Sequence, residues 1–224
     1  MNILITGGAS GLGLATAEAV EKEGWRALVV DVRAPDQRFE HSTADLADRG
    51  EAERAVRELA ERAGGLDGVV TAAGIDACGR LEDVPADDWE RVIRVNLLGT
   101  ASVVRAALPY LKHTRGTVVT CASTLGLRPL SDASAYSASK FGVVGFTRAL
   151  ATELRGEVGV TLLIPGGMRT GFFDGRPEQY KPGPEAGLND PAHVAQSIVF
   201  ALRQPAGCEV RELVVCPSTE TSWP

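Results

Sequence analysis

Short apolar segments alternate along the chain with longer segments in which apolar residues recur every three or four positions. Short apolar runs are typical of strands, and the longer period is typical of helices that pack by one face. The predicted strands cover residues 2–6, 27–31, 68–71, 117–121, 160–164 and 212–215. The predicted helices cover residues 13–23, 48–62, 89–111, 135–154 and 191–202. The pattern therefore predicts repeated strand–helix units.

The predicted strands are apolar on both faces, which is expected where helices cover both sides of a parallel sheet. We therefore predict an α/β fold with a Rossmann-like, doubly wound parallel sheet of about seven strands in a three-layer α/β/α arrangement. A chain of 224 residues fits one such domain, residues 1–224. The irregular stretch 171–190 contains Phe172, Phe173 and Tyr180, and we predict that it forms a substrate lid within the domain.

Composition and charge argue against several classes of partner. The net charge is −6, whereas a nucleic-acid-binding protein normally collects Lys and Arg on one face. The opening MNILITGG lacks the pattern of a signal peptide, and no apolar run approaches the ~20 residues that span a bilayer. We therefore expect neither a nucleic-acid partner nor a membrane partner.

The cysteines have no metal-binding spacing. The chain has four cysteines without a CxxC pair, and only three histidines accompany them. We therefore expect no metal site, and free thiols in a reducing compartment such as the cytoplasm.

The first predicted strand runs into a glycine-rich loop, TGGASGLG at residues 6–13, and then into a helix. In this context glycines allow a tight turn and a close approach of the backbone to a phosphate, while the helix N-terminus offers free N–H groups. A simple turn is the alternative for such a loop taken alone. The loop lacks the Gly-Lys-Ser/Thr ending of a nucleotide triphosphatase. The predicted pyrophosphate-binding residues are Gly7, Ser10, Gly11, Leu12 and Gly13.

The second predicted strand ends in Asp31. A carboxylate about 20 residues beyond the glycines can accept hydrogen bonds from the adenosine ribose hydroxyls and would repel a 2′-phosphate. This favours NAD over NADP as the cofactor, although Arg33 could weaken the discrimination. A solvated acid at the strand end is the alternative interpretation of Asp31.

The segment AYSASK places Tyr136 and Lys140 four residues apart, on one face of a predicted helix. A tyrosine has a reference pKa of about 10, and a neighbouring positive charge would favour its phenolate and bring the pKa nearer neutrality. Ser123, at the end of the strand VVTCAS, could hold the oxygen of a substrate. Taken alone, the Tyr136–Lys140 pair fits an exposed helix surface equally well.

Together, the loop at residues 6–13, Ser123 and the Tyr136-x-x-x-Lys140 pair resemble the motifs of the short-chain dehydrogenase/reductase family, with a likeness that extends along essentially the whole chain. The resemblance implies that Tyr136 is the general acid/base, that Lys140 lowers its pKa and binds the nicotinamide ribose, and that Ser123 binds the reacting oxygen. Asn96, in RVNLLG, corresponds to a family asparagine that kinks its helix and supports a water leading to the lysine.

The resemblance implies further contacts to cofactor and substrate. Asp45 and Leu46 would flank the adenine, and Thr170 would begin the lid. Backbone contacts to the cofactor would come from Ala72, Ala73 and Gly74, and the segment holding the nicotinamide carboxamide would comprise Pro165, Gly166, Met168 and Thr170. The predicted substrate-binding residues are Ser123, Leu125, Met168, Phe172 and Phe173.

Two segments depart from the family pattern. The family sequence Asn-Asn-Ala-Gly is replaced by TAAG at residues 71–74, and the strand VTLLIPG lacks an asparagine often found there. Asparagine side-chain bonds that brace the sheet are therefore expected to be missing, which affects local rigidity more than proton transfer.

These observations predict an NAD-dependent oxidoreductase that interconverts a secondary alcohol and a ketone on a small, moderately apolar molecule. Arg128 or Arg169 could recruit an acid group, although a solvated arginine is the simpler interpretation of each. The alternatives are epimerase or dehydratase chemistry on the same scaffold, a non-catalytic dinucleotide-binding regulator, and an enoyl reductase, whose tyrosine and lysine are usually farther apart. Family members usually pair through the two long helices, so a homodimer or homotetramer is expected.

Overall fold

A computed structural model describes residues 1–35 and 38–220, which contain one seven-stranded sheet. Its strands are β1 (Asn2–Thr6), β2 (Arg26–Asp31), β3 (Glu40–Thr43), β4 (Gly68–Thr71), β5 (Thr117–Cys121), β6 (Gly159–Pro165) and β7 (Glu212–Val215). The strand order is β3-β2-β1-β4-β5-β6-β7, and every neighbouring pair is parallel. This is the doubly wound topology predicted from the sequence.

The strand order reverses at β1, which pairs with β2 on one side and with β4 on the other. The connections leaving β1 and β4 therefore run in opposite directions along the sheet and leave a crevice at the carboxyl ends of these strands. Because every strand is parallel, the residues that follow all seven strands emerge at this same edge. The topology alone thus gathers the glycine loop, Asp31 and Ser123 on one side of the molecule.

Helices cover both faces of the sheet. They are α1 (Gly11–Lys22), α2 (Arg49–Ala63), α3 (Ala86–Ile93), α4 (Thr100–Thr114), α5 (Ser134–Glu153) and α6 (Pro191–Leu202). Alternate residues of a strand face opposite sides. Along β1, Leu4 accordingly joins the core beneath α2 and α4, whereas Ile3 and Ile5 join the core beneath α1 and α6.

Strand β3 is missing from the sequence-based prediction. Its sequence, EHST, is polar because it lies at the sheet edge and is only partly buried, so it carries no apolar run. The opposite edge strand, β7, is also partly exposed. The expectation of apolar strands covered on both faces therefore applies to the central strands and is wrong for the two edges.

The predicted helix 89–111 is longer and less regular than expected. Helical structure runs from Ala86 to Thr114, and a π-helical turn, Arg94–Gly99, separates α3 from α4. By length and composition this run could cross a membrane, but 56% of its most apolar window is buried inside the protein. The core helix of a globular protein has the same properties. The other predicted helices agree with the structure to within two residues at each end.

Candidate active site

A cleft of about 1480 Å³ lies along the carboxyl ends of the central strands. Every residue predicted above to bind cofactor or substrate lines it, from Gly7 in the glycine loop to Phe173 in the lid. Asn96 does not line the cleft and lies behind it, with only 1% of its surface exposed. The fold therefore brings the residues predicted to bind cofactor and substrate together in one cleft.

The glycine loop is shaped by two close backbone approaches. Gly7 has a φ of +74°, and a Cβ atom there would lie 2.8 Å from the Cα atom of Ala73. A Cβ atom on Gly13 would overlap the Gly7 carbonyl oxygen. Ser10 precedes α1 without making a side-chain cap, so the first N–H groups of the helix have no side-chain acceptor there. A narrow, cap-free helix start at the cleft fits the pyrophosphate of a dinucleotide.

Asp31 and Arg33 lie together beside this loop. The Asp31 carboxylate is largely buried and accepts the N–H groups of Ala9 and Arg33, both at 3.0 Å. The Arg33 guanidinium donates to the Ser10 hydroxyl at 3.3 Å. This end of the cleft therefore carries a fixed carboxylate and an arginine drawn toward the glycine loop.

Asp45 is tied to its own neighbourhood. Its carboxylate accepts a hydrogen bond from Arg91 at 2.9 Å and another from the Ala47 N–H at 2.9 Å. Partial burial raises the pKa of Asp45, but the Ala47 and Arg91 hydrogen bonds outweigh it, so the net pKa lies below its ordinary value. The carboxylate is therefore ionised at neutral pH and holds the wall at this end of the cleft.

Ser123 and Tyr136 bring two hydroxyl groups together. Ser123 follows β5 and caps a short 3-10 turn, where its oxygen accepts the Leu125 N–H at 3.2 Å. Tyr136 lies in the first turn of α5 and is half-buried. Burial raises the pKa of Tyr136, the adjacent Cys121 raises it further, and hydrogen bonding with Ser123 lowers it. The balance is upward, so the phenol of the unliganded protein is protonated at neutral pH.

Lys140 lies one helical turn beyond Tyr136 and is almost fully buried, with 4% of its surface exposed. Its ammonium donates to the Cys121 carbonyl oxygen at 2.9 Å. Lys140 and Gly74 both line the cleft, and the Lys140 nitrogen lies beside Gly74. Burial lowers the pKa of Lys140.

Asn96 lies in the π-helical turn, and its amide makes three short hydrogen bonds. It accepts the Ile75 N–H at 2.9 Å and donates to the Ile75 carbonyl at 2.9 Å and to the Ser139 hydroxyl at 3.0 Å. Ser139 in turn donates to the Tyr136 carbonyl at 2.7 Å. The asparagine thus links the segment after β4 to the helix that carries Tyr136.

The departures from the family pattern have a structural counterpart at the end of β4. The Thr6 hydroxyl accepts the Ala73 N–H at 3.2 Å and so ties β1 to the segment after β4. The neighbouring Thr71 hydroxyl is buried and has no hydrogen-bond partner within the described part of the chain. One brace is therefore supplied by a threonine, and one polar group is left unsatisfied.

The sequence-based prediction did not place Arg176 at the site and therefore missed its ion pair on the substrate side. Asp76 and Arg176 both line the cleft and form an ion pair of 2.6 Å. The arginines considered from the sequence, Arg128 and Arg169, are not among the described residues that line the cleft, and Arg169 is paired with Asp190. In the sequence, Arg176 is marked out by the aromatic residues around it in the predicted lid.

A model of the family described as short chain dehydrogenase matches residues 1–181. The chain belongs to the short-chain dehydrogenase family. One relative is a 3-oxoacyl-acyl-carrier-protein reductase of Thermotoga maritima, 31% identical over 216 residues that cover 88% of each chain. Another is a D-beta-hydroxybutyrate dehydrogenase of Rhizobium meliloti, 33% identical over 180 residues that cover 73% of this chain and 69% of the relative.

Solved structures of similar proteins share the whole fold. An alcohol dehydrogenase from the archaeon Thermococcus sibiricus, complexed with 5-hydroxy-NADP, superposes with a TM-score of 0.87 at 25% identity, covering 98% of this short-chain dehydrogenase and 97% of that chain. An actinorhodin polyketide ketoreductase with NADPH has a TM-score of 0.84 at 28% identity, covering 96% and 95%. This short-chain dehydrogenase is therefore an NAD(P)-dependent oxidoreductase with a Rossmann-like nucleotide-binding fold.

Proposed function

We propose that this protein interconverts a secondary alcohol and a ketone on a small, moderately apolar molecule, with Tyr136 as general acid/base. The observation that carries the proposal is the meeting of Ser123, Tyr136 and Lys140 at the wall of the cleft, beside the glycine loop. When bound, a nicotinamide cofactor supplies or removes the hydride at the carbinol carbon. The protein has to place the substrate oxygen and move its proton.

The two hydroxyl groups divide this work. The Ser123 oxygen already accepts the Leu125 N–H, so its own proton is available to the oxygen of a bound ketone. Tyr136 is protonated at neutral pH and can donate its proton to the same oxygen during reduction. During oxidation the phenolate takes the proton back, and the Lys140 charge favours that phenolate. Lys140 also lines the cleft beside Gly74, where its ammonium would bind a ribose hydroxyl of the cofactor.

We propose NAD as the preferred cofactor. The support is the Asp31 carboxylate, which is held in place by two backbone N–H groups at the adenosine end of the cleft, where a 2′-phosphate would meet its charge. A specific observation favours NADP as the second candidate, because Arg33 reaches the Ser10 hydroxyl and could neutralise a phosphate. The names of two solved relatives also contain NADP or NADPH.

The proposal is tested by binding and then by turnover. Separate titrations of the purified protein with NADH and NADPH, followed by the heat released, should show tighter binding of NADH. Absorbance at the reduced-nicotinamide band should then report turnover of neutral ketones. Binding without turnover of any ketone or alcohol would favour the regulator alternative, and product formation without net nicotinamide change would favour epimerase or dehydratase chemistry.

We further propose that the protein forms a homodimer or homotetramer through the helices that carry Asn96 and Tyr136. Leu98 and Phe141, on these two helical segments, are 54% and 44% exposed. Exposed apolar side chains on adjacent helices are suited to a two-fold interface. Light scattering coupled to size exclusion would test this, and a monomer at micromolar concentration would refute it. The absence of nucleic-acid and membrane partners and the cytoplasmic location stay predictions.

A further inference from the structure

An ion pair joins the two walls of the substrate side of the cleft. Asp76 lies just beyond β4, and Arg176 lies in the lid, 100 residues later in the chain. An Arg176 guanidinium nitrogen donates to an Asp76 carboxylate oxygen at 2.6 Å, and the two side chains are only 18% and 6% exposed, respectively. A pair this sheltered is weakly screened by salt, and breaking it would leave an uncompensated charge in the cleft wall.

The Asp76 carboxylate accepts three hydrogen bonds, whereas one N–H group of Arg176 has no acceptor among the described residues. Besides Arg176, the Asp76 carboxylate accepts the Ala77 N–H at 2.7 Å and the Cys78 thiol at 3.1 Å. Arg176 also reaches the Tyr180 carbonyl oxygen, at 3.4 Å. Its buried Nε–H has no hydrogen-bond partner within residues 1–35 and 38–220. The arginine therefore keeps donor capacity that a further acceptor could use if Asp76 released it.

The guanidinium also fixes aromatic side chains against the proposed acid/base. Its central carbon lies 4.9 Å from the Phe172 ring centroid and 4.6 Å from the Phe173 ring centroid. The Phe172 ring lies 5.6 Å from the Tyr136 ring. Contacts therefore run continuously from the ion pair through Phe172 to Tyr136, so the state of the pair affects the space beside the phenol.

We propose that Asp76 and Arg176 are the specificity-determining pair of this site: paired with each other, they hold the lid on Tyr136 and restrict the substrate to carbonyl compounds without a charge near the reacting carbon. The proposal rests on the proposed ketone reductase function and narrows its substrate class. Neither residue has to touch the reacting atoms, so both are positioning residues.

The restriction follows from the charges of the wall. A carboxylate substrate would meet the Asp76 charge and would find Arg176 already paired, and a cationic substrate would find Asp76 already neutralised. The Lys140 ammonium is held by the Cys121 carbonyl and, in the proposed function, binds the cofactor ribose rather than the substrate. A neutral ketone leaves every one of these contacts intact and can place an apolar substituent against Phe172. Discrimination thus arises from a penalty on the wrong substrate as well as from contacts with the right one.

The test compares acetoacetate with ethyl acetoacetate, which differ in the charge next to the ketone. The wild-type protein should reduce the ester with a kcat/KM at least about tenfold above that of the acid. Asp76→Asn frees Arg176 to bind the acid, so the ester-to-acid ratio should fall by about tenfold or more, mainly through a lower KM for acetoacetate. The double variant Asp76→Asn with Arg176→Met lacks the freed cation and should lose this gain.

The control breaks an exposed ion pair that lies away from the cleft. Arg148 and Glu212 form an exposed ion pair of 2.7 Å outside the cleft lining, so Glu212→Gln should leave the ester-to-acid ratio unchanged. An unchanged ratio in Asp76→Asn, a wild-type preference for acetoacetate, or a gain that persists in the double variant would each overturn the proposal.

A second measurement separates this proposal from the ketone reductase function itself. Hydrogen exchange of the lid amides, residues 171–190, should be faster in Arg176→Met and Asp76→Asn than in the wild type and in Glu212→Gln. The wild type could reduce no ketone while lid exchange became faster in these variants. The proposed reductase function and selectivity would then both be wrong, whereas the role of the Asp76–Arg176 pair in holding the lid would be supported. Unchanged lid exchange in both variants would show that the Asp76–Arg176 pair does not hold the lid, whatever the activity.

Discussion

The Lys140 ammonium lies 5.5 Å from the centroid of the Tyr136 ring and gives a 2.9 Å hydrogen bond to the Cys121 carbonyl oxygen. The lysine is thus held by the end of β5, four residues along α5 from Tyr136. In the proposed mechanism it acts on Tyr136 through its charge, which the main-chain carbonyl keeps in place before any ligand binds.

Replacing Tyr136 by phenylalanine removes the phenolic oxygen that we propose exchanges a proton with the substrate. We expect ketone reduction to fall by about 10²- to 10⁴-fold, the usual contribution of a general acid. Cofactor affinity should change little, because the ring and its Phe172 contact remain. Steady-state rates and a cofactor titration on the same preparation would check both. Tyr110→Phe, outside the cleft lining, is the matched control and should behave as wild type.

The two directions of the reaction should depend on pH differently. Burial raises the pKa of Tyr136, so the phenol is protonated across the neutral range. Oxidation needs the phenolate, and its kcat/KM should therefore rise with pH through the neutral and mildly alkaline range. Reduction needs the phenol and should stay flat over the same range. A pH profile of each direction would show this, and an oxidation rate that is flat from pH 6 to 9 would contradict the assignment.

Loss of the Lys140 charge should move that profile. In Lys140→Met the phenolate loses its neighbouring cation, so the pKa of Tyr136 should rise and the oxidation profile should shift to higher pH. Cofactor binding should also weaken, since the ammonium lines the cleft and is the group proposed to bind the ribose. Lys112→Met, at an exposed ion pair with Glu157, is the control. Equal profiles for wild type and Lys140→Met would show that the lysine does not act through its charge.

Cofactor preference should depend on the balance between Asp31 and Arg33. Asp31→Ala removes the charge that opposes a 2′-phosphate and leaves Arg33 beside Ser10, so NADPH affinity should rise relative to NADH by about tenfold or more. Arg33→Ala should change the ratio in the opposite direction. Titration of each variant with both reduced cofactors would measure the ratio. If Arg33→Ala did not weaken NADPH relative to NADH, the arginine would not be the group that tolerates the phosphate.

Asn96 should matter for stability as well as for activity. Asn96→Ala would leave the Ile75 N–H and carbonyl groups without their hydrogen-bond partner. Each unsatisfied buried group lowers the free energy of unfolding by roughly 1–3 kcal/mol. Ser139→Ala removes two bonds of the same network, the one from Asn96 and the one to the Tyr136 carbonyl, and keeps both bonds to Ile75, so its cost should be lower, about 1 kcal/mol for each bond lost. Urea unfolding of the two variants would give the free energies. Equal costs would mean that the Ile75 contacts contribute nothing.

Local chemistry explains which features could be predicted from the sequence. Tyr136 and Lys140 meet because a helix brings residues four apart onto one face, and Asp31 lies at the cleft because parallel strands end at one edge. The Asp76–Arg176 pair could not be found in this way. It depends on the path of an irregular lid, which has no periodicity and which brings together residues 100 positions apart. Strand β3 was missed because a polar edge strand forms by pairing with its neighbour, β2, and has no apolar run of its own.

The π-helical turn at Arg94–Gly99 interrupts the regular α-helical repeat between α3 and α4, because π-helical hydrogen bonds reach five residues back rather than four. Asn96 lies at this interruption and bonds both main-chain groups of Ile75, while the residues of α4 that follow pack in the core. One continuous helical run therefore has two tasks: its regular part stabilises the fold, and its irregular turn anchors the segment after β4 that forms a wall of the cleft.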